Sequence, residues 1–229
     1  MGLILNIDTS TTMCSVALAK DGLLIAVQEQ DGDYTHAENL TVFIQSVLEN
    51  ASLTLSDIEA VAVSKGPGSY TGLRIGVSTA KGICYSLNKP LIAVDTLQAL
   101  AYGVSAQKNE KILYCPMLDA RRMEVYTAVF DASNNSVHAT SAEIIDERSF
   151  LNLLNNSVVC FFGNGAEKCK EVLSQHKNAL FVDGCVTSAK NMVTLSEKAY
   201  VDSIFEDVAY FEPFYLKDFV AGKKKKETL

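Results

Sequence analysis

The order of elements repeats within this 229-residue chain, and that repeat limits the possible folds more than any single motif. Residues 3–7 form a short apolar run. Residues 15–20 alternate, and 23–28 follow across Asp21-Gly22, a hairpin turn signal. Thr35-His36-Ala37-Glu38 matches a capping box, with Leu40, Phe43, Ile44, Val47 and Leu48 at helical spacing behind it. Residues 60–63 predict a strand, the glycine-rich stretch after them a helix to about Leu87, and 91–94 a further strand past Pro90. The second half reads alike: strands at 112–118, 124–130 and 136–145, a helix near 147–154, a strand at 158–162, a helix at 166–174 and a strand at 179–182.

Each half is therefore β-β-β-α-β-α-β. The residues echo as well: in "LNIDTSTTMCSVALAKD" against "PMLDARRMEVYTAVFD", Asp8 answers Asp119 and Asp21 answers Asp131. One unit duplicated accounts for this, as do two generic α/β halves. Two such lobes face to face give an α/β fold of the actin-like (ASKHA) kind, in which a nucleotide sits in the cleft and the first hairpin of each lobe holds its phosphates. The expected division is 1–100 for lobe I and 101–229 for lobe II. A helix around 195–205 and the segment at Pro213 are candidates to return to lobe I.

A phosphate hairpin needs exposed backbone N–H groups, and a glycine lets the anion approach. Lobe I offers Asp8, Thr9, Ser10 and Thr11 without a glycine, and lobe II fills its turn with Arg121 and Arg122. These are candidates for a vestigial or shared nucleotide site, or for residues that merely satisfy the turn. The stretch "SKGPGSYTGLRIGVSTAKG" fits neither G-x-x-x-x-G-K-[ST], G-x-G-x-x-G nor G-x-S-x-G. Its helix instead carries Gly72, Gly76 and Ala80 four apart. Interior glycines cost helix stability, so the stripe calls for a close backbone approach, either by another subunit or by the chain's own sheet. Around it Thr71, Arg74, Val77, Lys81 and Tyr85 are placed to flank a partner, and His36, Leu40, Ile44 and Leu48 of the preceding helix to widen the face.

With a formal charge of −7, a general polyanion surface is not expected; the exception is the four-lysine run at 223–226, a solvated terminus or a phosphate-touching arm. Six cysteines without a C-x-x-C pair read as free thiols in a reducing cytosol. The first residues fit neither a signal peptide, a span nor a myristoylation site, so a cytoplasmic location and no membrane partner are expected. His36, His138 and His176 form no H-x-x-x-H or H-E-x-x-H pair, so no metal site is expected. A small-molecule kinase or ATPase of the same fold, and more remotely a metallopeptidase, are the competing readings.

"ILNIDTSTTMCSVAL", "GPGSYTGLR", "AVDTLQALA", "DARRMEVYTAVF" and "EPFYLKDFVA" together resemble the bacterial TsaB (YeaZ) family, from residue 4 to about 221. The resemblance implies a non-catalytic partner of the TsaD threonylcarbamoyl transferase, which modifies the adenosine next to the anticodon of tRNA. It also implies pairing with TsaD through the two helices of lobe I, self-pairing through the same face when alone, docking of the ATPase TsaE nearby, and contact with tRNA only through the complex. No cofactor of its own is implied, with ATP and magnesium at the level of the complex only. Lys217 departs from the family pattern, which commonly has arginine there; a contact that depended on a guanidinium fork is weakened.

Overall fold

The computed structural model describes residues 2–32, 35–105 and 111–217; the lysine run at 223–226 lies outside them. The first half comprises β1 (Leu3–Asp8), β2 (Met13–Lys20), β3 (Leu23–Asp31), α1 (Thr35–Asn50), β4 (Ala60–Gly66), α2 (Tyr70–Leu87) and β5 (Leu91–Asp95). Helix α3 (Thr96–Ser105) follows at once. The second half comprises β6 (Ile112–Asp119), β7 (Glu124–Phe130), β8 (Ser136–Ile144), α4 (Leu151–Leu154), β9 (Val158–Phe162), α5 (Lys170–Leu173) and β10 (Ala179–Val182). A 3-10 turn (Ala189–Met192) and α6 (Val193–Val201) then lead back to the first sheet.

The two five-stranded sheets have one topology. The first runs β3-β2-β1-β4-β5 and the second, read in the matching direction, β8-β7-β6-β9-β10. In each, the leading three strands are antiparallel and the last two join in parallel. Every residue of β1 is buried, as befits a central strand with helices on both faces. On one side lie Leu40, Phe43, Ile44, Val47 and Leu48 of α1 with Val77, Ala80 and Cys84 of α2. On the other, Ala189 and Met192 pack on Ile4, Ala62 and Ile92.

Helix α3 lies between the sheets. Its Leu97, Leu100 and Ala101 join Tyr114, Leu118 and Phe130 of the second lobe, while Ala99 joins the core of the first. The expected helix at 147–154 shrinks to a single turn. Asp146 and Ser149 bond each other's backbone, with Ser149 Oγ accepting from Asp146 N at 3.0 Å, and Phe150 adopts a left-handed φ of 61° to stack on Phe161. That locally bonded turn competes with the helix.

The chain beyond β10 runs back along the first lobe. Thr187 meets Thr11 (Oγ1 to Oγ1, 2.7 Å), Ser188 donates to Glu29 (2.6 Å) and Ala189 N donates to Ser15 Oγ (2.9 Å). Further on, Glu206 N donates to the Leu91 carbonyl (2.8 Å) and Phe214 N to that of Lys65 (2.7 Å). Lys81 Nζ donates to the carbonyls of Ala209 and Phe211, fixing this segment to α2.

Candidate functional site

The β1–β2 turn is where an actin-like lobe would hold phosphate, and here α2 covers it. Ser69 caps α2 by accepting from Gly72 N, and its own N–H donates to the Ser10 carbonyl at 2.6 Å. Thr9 Oγ1 donates to the Gly72 carbonyl at 2.7 Å. A Cβ at Gly68, Gly72 or Gly76 would come within 3.0 Å of Ser10 or Thr9 atoms, so the helix reaches the turn only because these side chains are absent. Asp8 is buried beneath, accepting from the Ser10 amide (3.0 Å) and hydroxyl (2.6 Å). Burial raises its pKa, outweighing those hydrogen bonds and the pull of His36.

The second lobe repeats the device in part. Asp119 accepts from the Arg121 amide at 2.9 Å, as Asp8 does from Ser10. Partial burial works against ionisation of Asp119, yet its bonds with Lys168 and Arg121 hold its pKa below the usual carboxylate value. Between the two turns lies a crevice of about 60 Å³, lined by Thr11, Thr12, Leu118, Asn164 and Thr187 among others. Ligand pockets start at roughly 300 Å³. The residues present do not fit a nucleotide: Asp8, Thr9 and Ser10 are sealed under α2, and of the four expected nucleotide residues Asp8, Thr9, Ser10 and Thr11 only Thr11 reaches the crevice. Among the described residues, no three His, Cys, Asp or Glu side chains gather as metal ligands.

Most of the expected contact face is buried within the chain itself. Leu40, Ile44 and Leu48 are core residues, and Gly72, Gly76, Val77 and Ala80 are buried against the chain's own turn and sheet. His36 is buried too, with its Nε2 donating to the Thr11 carbonyl at 2.7 Å. All eight positions are buried within the chain. Of the other expected residues, Lys81 is half-buried and holds the C-terminal segment, whereas Thr71, Arg74 and Tyr85 are exposed.

What α1 and α2 turn outward is a different stripe. Thr71, Ser78 and Gly82 are exposed along α2 beside Tyr85, with Thr41, Val42 and Gln45 exposed on α1. Tyr85 is 85% and Val42 57% exposed. A Cβ at Gly82 would meet nothing within 4 Å among the described residues. The signal that separates the two stripes was in the sequence: Leu73, Val77, Ala80 and Cys84 adjoin Gly72 and Gly76, and an apolar row marks the buried side.

The comparisons with known proteins bear on this site. The family model described as "TsaD: tRNA N6-adenosine threonylcarbamoyltransferase" matches residues 31–225. The tRNA threonylcarbamoyladenosine biosynthesis protein TsaB of Escherichia coli is 33% identical over 230 aligned residues, covering 96% of this chain and 97% of that protein. The chain belongs to the TsaB family. YeaZ from Pseudomonas aeruginosa superposes with a TM-score of 0.80 at 25% identity, over 94% of this chain and all of that one. The activator of 2-hydroxyisocaproyl-CoA dehydratase from Clostridium difficile, solved with bound ADPNP, matches at TM-score 0.50 and 10% identity over 89% of this chain and 96% of that one, a likeness of fold alone. The TsaB family thus shares the two-lobed actin-like fold. In this member the hairpin of lobe I is occupied by its own helix.

Proposed function

We propose that this protein is a non-catalytic subunit in threonylcarbamoylation of tRNA, assembling with and stabilising a TsaD-type transferase. The observation that carries the reading is the closed hairpin in a chain that matches TsaB end to end. The place where this fold grips phosphate is filled by α2 backbone, which leaves the lobes for assembly rather than phosphoryl chemistry. The outward stripe of α1 and α2 supports the same reading. An interior helix glycine costs about 1 kcal/mol relative to alanine, and at Gly82 nothing among the described residues requires it. Small residues at Thr71, Ser78 and Gly82 with Val42 and Tyr85 beside them suit close packing of a partner's helices, TsaD in the complex or a second copy when alone.

TsaE joins that assembly, tRNA meets the protein only within it, and the work takes place in the cytoplasm. No helix among the described residues is long and apolar enough to cross a membrane. Size-exclusion chromatography with light scattering tests the proposal. The purified protein is expected to co-elute with TsaD as a species of the summed mass, and separate elution at micromolar concentration would refute it.

A further inference from the structure

Resting on that reading, we infer that the β6–β7 turn is an RNA-backbone contact, made by Arg121 and Arg122. Both residues are exposed, and both have left-handed backbones, with φ of 74° and 50°. Asn and Gly are favoured at such positions, and an L side chain there costs on the order of 1 kcal/mol. Stability of the turn therefore does not explain two arginines. Nor does local charge balance. Asp119 is held by Lys168 and Glu124 by Lys217, so each carboxylate of the hairpin already has a cation. Neither guanidinium makes a side-chain hydrogen bond or ion pair among the described residues. Arg121 only adds to the pull that Lys168 already exerts on Asp119, and neither arginine is matched by an ion pair among the described residues.

A guanidinium is a planar fork that fits phosphate bidentately. The two arginines follow Leu118, which lines the crevice of about 60 Å³; that space is too small to enclose a mononucleotide, so an extended polyanion fits better than a small ester. Next to them runs the C-terminal segment. Lys217 reaches Glu124, and two residues earlier Tyr215 packs obliquely on Tyr70 at 4.9 Å with its ring at the surface, available for a base to stack. Two guanidinium forks exposed on one turn match the phosphate backbone of an RNA.

The test uses the complex with TsaD and an unmodified tRNA transcript as probe, titrated at several salt concentrations. The variant is Arg121→Gly/Arg122→Gly, because glycine accepts both left-handed positions and keeps the fold; an unchanged or raised melting temperature checks this. Loss of two phosphate contacts predicts roughly tenfold or greater weakening and a salt-dependence slope smaller by about 2. An RNA affinity and slope equal to wild type would overturn the assignment. A tenfold loss with an unchanged slope would also overturn it. Failure of the wild-type protein to co-elute with TsaD strikes the assembly reading instead, whereas co-elution with RNA binding unmoved by the double variant strikes the arginines alone.

Discussion

At the residue scale, glycines of one helix have opposite roles. Gly72 and Gly76 let α2 descend onto Thr9, so Gly76→Leu is expected to destabilise the isolated protein by about 3 kcal/mol through overpacking. A Cβ at Gly82 would crowd none of the described residues, so Gly82→Ala should stabilise it by about 0.5–1 kcal/mol. Urea unfolding of the two variants checks both signs. Spacing in the sequence disclosed that some backbone must come close; it did not say whose, and the chain's own turn proved to be the neighbour. Asp8 makes a second prediction. Its pKa is raised on folding, so its stabilising contribution is full below the ordinary 3.8 and is lost as pH rises through the folded value. Asp8→Asn keeps an acceptor for Ser10 and removes the titration. Thermal melts across pH 4–8 should show the variant gaining on the wild type as pH rises.

At the element scale, legibility followed amphipathic contrast. Helix α1 could be read because Leu40, Ile44 and Leu48 stand against exposed Glu38, Thr41 and Gln45. Helix α3 went unrecognised because Thr96–Ser105 starts directly at the end of β5 and is buried between two sheets, so Leu97, Ala99, Leu100 and Ala101 show no polar face. The return of the chain to lobe I could be raised as an option only, because it rests on pairings 159 to 190 residues apart: Ser188 to Glu29, and Ser196 to the buried Asn6 (2.6 Å). Glu29 is the centre of that anchor. Burial opposes its charge, but hydrogen bonds from Ser188, Lys190 and Ser15 hold its pKa below 4.5. A depressed carboxylate contributes stability above its unfolded pKa and loses it as pH falls through the folded value. Glu29→Gln should therefore cost about 1–2 kcal/mol at pH 7, with the deficit shrinking in acid, as denaturant unfolding at pH 7 and pH 3 would register.

At the scale of the whole molecule, the duplicated order of strands could be read from end to end, and the two sheets reproduce it strand for strand. The inner surface of the cleft could not be read, because the distance between lobes depends on α3 and on the 185–188 segment rather than on either repeat. With the hairpin of lobe I sealed, millimolar Mg-ATP should leave the melting temperature of the isolated protein unchanged; a shift of several degrees that Asp8→Ala abolishes would restore the kinase reading. The central claim, that the outward stripe of α2 receives a transferase, is tested most directly by the dissociation constant of Gly82→Trp for TsaD. The account predicts at least tenfold weaker binding with folding intact, since a Cβ at Gly82 meets none of the described residues within 4 Å. Wild-type affinity in that variant would contradict it.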